Sequence, residues 1–488
     1  MFNDFRLAAG RPVYIQVRDY LKGLILKGAL QSEQKLPSTR ELGELLGVSR
    51  NSVISAYTLL EEEGFIYAQA GRGSYVASDA SLPGPAADAE PWRMDWKERM
   101  SRQARQAVEL DHMKRGLRAE KGTISFTSIA PDEQLFDLEN VKRAFLDRMA
   151  MEGRVLLNYG YAKGYKPLMD YLLNYMESKG VDLQGKDILI TNGFTEGLDI
   201  VLSALHRESG GAVICENPTH YTAIKNLKLH GFEITGIPMD PDGIDLERLE
   251  EALAERAYDC AYLVPSYHNP TGIVTSAEKR LALLRLFSRY RIPVIEDGFN
   301  EELRYSGSHV APLIAMAGTG NSVVYLGSFS KVLFPGIRVG WVLADRALID
   351  SLESVKRARS IHTSTLDQSL LFQYLQNGNL EKYLKKARME YKRKYEWTKT
   401  CCERYIPFSR LSGSGGLHLF IEFPEDFDTW KLLEACSEQG VIFTPGDMFY
   451  TDGRGRNTMR IGFSRVSDED IGTGIRLIGE TAAKMMGN

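Results

Sequence analysis

One lysine stands alone in GSFSKVLFPGIRVGW, residues 327–341, among small, hydroxyl and apolar residues. A cation in such surroundings must find a partner or give up its charge. The rest of the chain supplies what an amine there would need for chemistry. ITNGFTEGL reads as a strand, a glycine turn and a helix start, leaving the N–H groups of Gly193, Phe194 and Thr195 for an anion. YHNPTG puts Asn269 in a turn with a donor amide. PVIEDGF ends a buried strand on Asp297, at the edge where ligands gather in α/β sheets. Ser328 and Lys331 come together in SFSK, Arg338 follows one short loop later, and Arg460 lies in the late strand TMRIGFSR. Singly, each has an ordinary structural use as a turn, a cap or an ion pair. As a set they match the needs of pyridoxal phosphate. That cofactor takes a lysine for its aldehyde, a carboxylate for the pyridinium nitrogen and anion donors for its phosphate. It also takes a donor at the phenolic oxygen and a flat group against the ring.

These residues need a scaffold that brings strand ends together. From about residue 122 onward, DILIT, AVICE, CAYLVP, PVIED and SVVYLGS are short apolar runs, each followed by loop residues and a helical pattern. Such alternation predicts a mostly parallel sheet covered by helices over residues 122–488. Residues 79–121 break the pattern with Pro, Ala and Gly and then run charged, which is linker composition with a helix expected near 95–110.

Residues 12–78 read differently. Pro12 is expected at the first position of a helix whose Tyr14, Val17, Leu21, Leu24 and Ile25 share a face. Ser38 followed by Glu41 is a capping-box pattern opening a second helix. After a turn at Gly47, Ser49 caps a third, with Val53, Ala56, Tyr57 and Leu60 on one side. Two helices joined by a short turn make a helix-turn-helix, and FIYAQAGRGSYVA adds a hairpin. The presenting side offers Ser38, Arg40, Ser49, Arg50, Asn51 and Ser52, with Arg72 and Gly73 at the hairpin tip. Over residues 1–78 nine Lys and Arg face eight Asp and Glu, so any nucleic-acid affinity rests on local placement. Three of those acids, Glu61–Glu63, sit at the far end of the third helix.

Bulk properties set bounds. A chain of 488 residues exceeds one ordinary core, so two or more domains are expected. A net charge of −4 gives no global pull toward nucleic acid or membrane. Five cysteines (Cys215, Cys260, Cys401, Cys402 and Cys436) show no paired metal spacing and fit free thiols in a reducing cytoplasm; no metal is expected. No signal pattern and no membrane-length apolar run is present, so the expected setting is cytoplasmic, away from membranes.

The run LPSTRELGELLGVSRNSVISAYTLLEEEGFIYAQAGRGSYV closely resembles the winged helix of GntR-type bacterial regulators, over nearly all of residues 12–78. The resemblance implies that Arg40 and Arg50 contact DNA and that the wing reaches the minor groove. Most of residues 122–485 resemble the fold-type I aminotransferases, which are pyridoxal-phosphate enzymes. The fusion of the two is the architecture of the MocR/GabR family of bacterial transcription regulators. By that resemblance Lys331 forms the internal aldimine, Asp297 pairs with the pyridinium nitrogen and Asn269 meets the phenolic oxygen. Ser328 and Arg338 hold the phosphate, and Arg460 takes an amino-acid carboxylate. Tyr159, in NYGYAKGY, resembles the tyrosine lent to the neighbouring subunit's phosphate, so a homodimer is implied.

Two positions depart from the family pattern. Phe299 stands where a tyrosine usually lies two residues after the pyridinium aspartate, and ENPTHY leaves either His220 or Tyr221 to stack on the ring. The function implied is a DNA-binding regulator sensing an amino acid, an amine or pyridoxal phosphate itself. The alternative is an active aminotransferase with an accessory DNA-binding module.

Overall fold

Apolar residues at Val17, Leu21 and Ile25 drive the first helix, α1 (Val13–Leu26), and all three are buried. Pro12 is its cap residue, one place ahead of the first helical position expected for it. Tyr14 is 38% exposed, because the buried stripe begins only at the following turn. In α2 (Thr39–Leu46), Ser38 Oγ accepts from Glu41 N and the Glu41 carboxylate accepts from Ser38 N at 2.8 Å, a closed capping box. Gly47, with φ 65°, ends that helix in the left-handed conformation that glycine adopts without strain. Ser49 caps α3 (Arg50–Glu62), which buries Val53, Ala56, Tyr57 and Leu60. Strands β1 (Ile66–Gln69) and β2 (Gly73–Val76) pair antiparallel as the wing.

The computed structural model describes residues 2, 4–78, 93–111, 121–205, 210–298 and 300–487. They fall into two compact units, Met1–Met100 and Ser101–Asn488. The helix expected near residues 95–110 is two short ones, Trp96–Arg99 and Arg102–Glu109, because Met100 is extended at ψ 138°. The remainder of the expected linker, 79–92 and 112–120, lies outside the described residues.

The larger unit has β3 (Ile124–Ser125) as its first strand. Its main sheet is built from β4 (Lys186–Thr191), β5 (Ala212–Asn217), β6 (Glu233–Asp240), β7 (Gly243–Ile244), β8 (Cys260–Leu263), β9 (Val294–Asp297), β10 (Val323–Ser328) and β11 (Gly340–Asp345). The spatial order is β4-β11-β10-β9-β8-β5-β6-β7. The run from β10 through β9, β8 and β5 to β6 is parallel, while β11 and β7 lie antiparallel to their neighbours. Parallel strands buried on both faces read as continuous apolar runs, as these do.

Leu326 pairs with Asp297, Ser328 with Gly340, and Gly340 with Thr191. The carboxyl ends of β4, β9 and β10 therefore meet at one edge. A second sheet of β12 (Arg410–Ser412), β13 (His418–Glu422), β15 (Thr444–Pro445) and β16 (Thr458–Gly462) is antiparallel, and β14 (Val441–Ile442) pairs with β3. The second sheet has its own core, with Phe443, Ile461 and Phe463 packed under the helix Asp468–Met486.

Candidate functional site

At that shared edge, Asp297 ends β9 and is buried. Tyr262, on the neighbouring β8, donates its hydroxyl to Asp297 Oδ2 at 2.6 Å, and His220 Nδ1 lies 3.5 Å from the same oxygen. Burial, and next the Asp297 charge, hold the Tyr262 proton well above the usual phenol range. Lys331 follows the end of β10. Burial foremost, then the positive charges of Arg460 and Arg338, bring its pKa down to about 8, against the opposing pull of Asp297.

Thr191 ends β4, and the helix Gly193–Leu205 begins two residues on. Glu196 accepts from Asn192 N at 2.6 Å and fixes the turn. Arg338 Nη2 reaches the Asn192 carbonyl at 3.3 Å, and a Cβ on Gly193 would sit 2.7 Å from that same nitrogen. Gly193 holds φ 78°, a conformation open to glycine, and a Cβ on Gly340 would meet the Gly193 backbone at 2.8 Å, so both positions require glycine. Ser328 Oγ accepts from Ser330 N at 3.1 Å, which folds the lysine loop back on β10. These elements enclose a cavity of about 150 Å³ bordered by Phe194, His220, Asp297, Asn300, Lys331 and Arg338.

Asn269 and Arg460 come together from parts of the chain 191 residues apart, Arg460 Nη1 donating to Asn269 Oδ1 at 2.8 Å. The Asn269 side-chain nitrogen is left buried with no acceptor among the described residues. The Arg460 guanidinium packs 4.9 Å from the Phe449 ring centre and gives a second hydrogen bond to the Thr127 carbonyl at 3.3 Å. Burial lowers its pKa to about 10.

Of the two aromatics between which the sequence does not choose, His220 borders the cavity, 5.5 Å from the Phe194 ring centre. Tyr221 turns its hydroxyl to the Leu110 carbonyl. Tyr159 is 81% exposed and meets the edge of His362 rather than the cavity. Phe299 lies outside the described residues. All five cysteines are buried thiols, and no group able to hold a metal ion occurs among the described residues.

In the smaller unit, Ser38 and Ser49 are occupied as helix caps, and Ser49 Oγ also lies 2.9 Å from Ser52 Oγ. Arg50 and Asn51 are exposed at the start of α3, and Arg40 is exposed but shares a loose ion pair of 3.3 Å with Glu44. Arg72 and Gly73 form the wing tip, and an open groove of about 1170 Å³ separates it from the start of α2. Lys35 lies on that groove, its stem 3.2 Å from where a Cβ on Gly73 would be. Of the three acids that end α3, Glu63 is neutralised by Arg18 and Lys22.

A model of class I and II aminotransferases matches residues 127–478, and one of the gntR family of bacterial regulatory proteins matches residues 13–76. The chain belongs to the class I and II aminotransferase family, with a gntR-family domain ahead of it. An uncharacterised HTH-type transcriptional regulator of Bacillus subtilis, YisV, is 27% identical over 97% of both chains. The probable rhizopine catabolism regulatory protein MocR of Rhizobium meliloti is 28% identical over 89% of this chain and 86% of its own. Among solved structures, the α-aminoadipate aminotransferase LysN of Thermus thermophilus, complexed with N-(5′-phosphopyridoxyl)-L-leucine, superposes with a TM-score of 0.75. That pair is 29% identical over 81% of this chain and all of the other. The chain is thus a regulator of the gntR/MocR type with an aminotransferase domain, and its family implies pyridoxal phosphate.

The residues present fit that cofactor. A cavity of about 150 Å³ is the size that holds one six-membered ring. The orphaned Asn269 amide supplies a donor, Asp297 a carboxylate, and Arg338 with the start of the Gly193 helix an anion corner. Three neighbours escape a reading of the sequence. Tyr262 shows there only as a tyrosine in an apolar run, which signals that its hydroxyl needs a partner. Asn300 and Lys35 carry no local signal.

Proposed function

We propose that this protein is a one-component transcription regulator that senses an amino acid, an amine or pyridoxal phosphate itself at Lys331. The observation that carries the reading is the amine itself. Buried beside two arginines, with its pKa lowered to about 8, it has a far larger neutral, nucleophilic fraction near physiological pH than an ordinary lysine. When bound, pyridoxal phosphate supplies an aldehyde for amines and an electron-withdrawing ring. In this reading Asp297, steadied by Tyr262, holds a proton at the pyridine nitrogen, and Asn269 donates to the phenolic oxygen. Arg338, Ser328 and the N–H groups of Gly193, Phe194 and Thr195 take the phosphate. His220, which borders the cavity, would be the flat group against the ring, and Tyr221 serves the fold. Arg460 holds the carboxylate of an amino-acid ligand with its two-pronged guanidinium.

DNA is met by α3 through Arg50 and Asn51, by Arg40, and by the wing through Arg72 and Gly73; Lys35 extends the basic edge. Ser38, Ser49 and Ser52 shape the helix starts that face the phosphates. We infer a homodimer in the cytoplasm. In support, Tyr159 is exposed, as are Leu138, Leu146, Met151, Val155 and Leu157, apolar surface that a second copy would cover. Ligand binding then shifts DNA affinity by making different contacts in two arrangements of the dimer.

A second reading, an active aminotransferase, draws on the same intact set of Lys331, Asp297, Asn269 and Arg460. Absorbance spectra of the loaded protein with a panel of amino acids separate the two. A spectrum that changes and then persists supports sensing, while turnover to the amine form of the cofactor with keto acid released supports catalysis.

A further inference from the structure

Asn300 borders the ring-sized cavity together with Asp297 and Lys331, and it is buried. Neither its side-chain oxygen nor its nitrogen has a hydrogen-bond partner among the described residues. Exchanging the two atoms does not change that count, so the result is independent of how the amide is turned. Each buried polar atom left unmet costs about 1–3 kcal/mol, so a residue kept here with both ends open points to a ligand that closes them. The nitrogen can be met by any acceptor, including the cofactor's phenolic oxygen. The oxygen needs a donor, and neither a phenolate, a phosphate nor a carboxylate has one to give.

Its backbone is pinned independently. φ is 56°, the Leu303 N–H donates to its carbonyl at 2.9 Å, and Gly416 has no side chain to crowd its amide. Asparagine tolerates the left-handed region better than most residues. That preference explains an asparagine in a turn; it does not explain an amide buried at a ligand cavity with both ends unmet.

We infer that the ligand sensed at Lys331 is an amino acid whose side chain carries an N–H or O–H donor, which Asn300 reads through its carbonyl. This rests on the reading that a ligand amine is held at Lys331. It narrows the ligand class to hydroxylated, carboxamide or second-amine side chains and disfavours purely apolar ones. A site built around a buried hydrogen-bonding group rejects an analogue lacking the matching group far more strongly than an apolar pocket rejects an extra methyl.

The test titrates the loaded full-length protein by absorbance with near-isosteric pairs: threonine and valine, asparagine and leucine, 2,4-diaminobutyrate and norvaline. At least one donor-bearing member should bind roughly a hundredfold or more tighter than its apolar twin. Asn300→Gly keeps the left-handed backbone and removes the amide, so the ratio should collapse toward one. Asn300→Asp keeps the acceptor and should keep the preference. Equal affinity within every pair, survival of the full ratio in Asn300→Gly, or its loss in Asn300→Asp overturns the inference while leaving amine sensing intact. If no amino acid alters the spectrum of the loaded protein, this inference fails, while sensing of an amine or of pyridoxal phosphate itself at Lys331 still stands.

Discussion

Replacing Arg460 with methionine tests two roles of one buried charge. The guanidinium donates to Asn269 at 2.8 Å and to the Thr127 carbonyl at 3.3 Å, and it forms no ion pair with a carboxylate among the described residues. Methionine is flexible and apolar enough to fill the place over Phe449, and relief from burying an uncompensated cation offsets part of the two hydrogen bonds lost. After burial, Arg460 is the largest influence lowering the Lys331 pKa to about 8. Without it that pKa should climb toward the ordinary lysine value, and the pH at which added pyridoxal phosphate captures the apo protein should climb with it.

The second effect is on the ligand carboxylate. A hydrogen bond to a charged group contributes about 1.5–3 kcal/mol, so amino acids should bind roughly 10- to 150-fold more weakly. Amines without a carboxylate should lose only what the lysine shift takes from both classes. The assay is absorbance titration with an amino acid and its decarboxylated counterpart, repeated across pH. Equal weakening of both classes, or a pH midpoint that stays in place, would refute the assignment.

Other outcomes are expected in the smaller unit and at the lysine. Arg50→Ala should weaken operator binding by about 1–3 kcal/mol and relax preference at one base pair if it reads a base edge. Arg40→Ala, at a phosphate, should instead flatten the salt dependence by about one unit; shift assays across salt concentrations distinguish the two. Ser38→Ala opens the capping box of α2 and should cost about 1 kcal/mol, read from denaturant unfolding with a probe in the smaller unit. In wild type, capture of pyridoxal phosphate by the apo protein should speed up as pH rises through about 8, because the neutral amine is the nucleophile. A midpoint near the ordinary lysine value of 10.5 in a stopped-flow pH series would contradict that.

Much of the smaller unit could be read from the sequence because its signals are local. Ser38 with Glu41, Ser49, and the spacing of Val53, Ala56, Tyr57 and Leu60 each act within about two helical turns. Lys35 was not legible, since its place on the groove depends on its bridge to Tyr75 across the wing. In the larger unit the apolar runs mark the strands, and strand ends mark Asp297 and Ser328. No sequence signal brings Asn269 to Arg460, because their hydrogen bond joins two sheets through the folded core. The choice between His220 and Tyr221 is likewise non-local, made by a carbonyl at Leu110 that takes the tyrosine hydroxyl. Asn300 carries no local signal, and only the packing of Gly416 and Leu303 around it reveals an amide with no partner among the described residues.

If chemistry at Lys331 governs the hold on DNA, footprinting on the region upstream of the protein's own gene should show it. Wild type and Lys331→Ala would be compared with pyridoxal phosphate, with and without the amino-acid panel. Ligand should change the extent or strength of protection by wild type, and Lys331→Ala should still bind DNA but no longer respond. Protection that is indifferent to every ligand, or an identical response from Lys331→Ala, would contradict it.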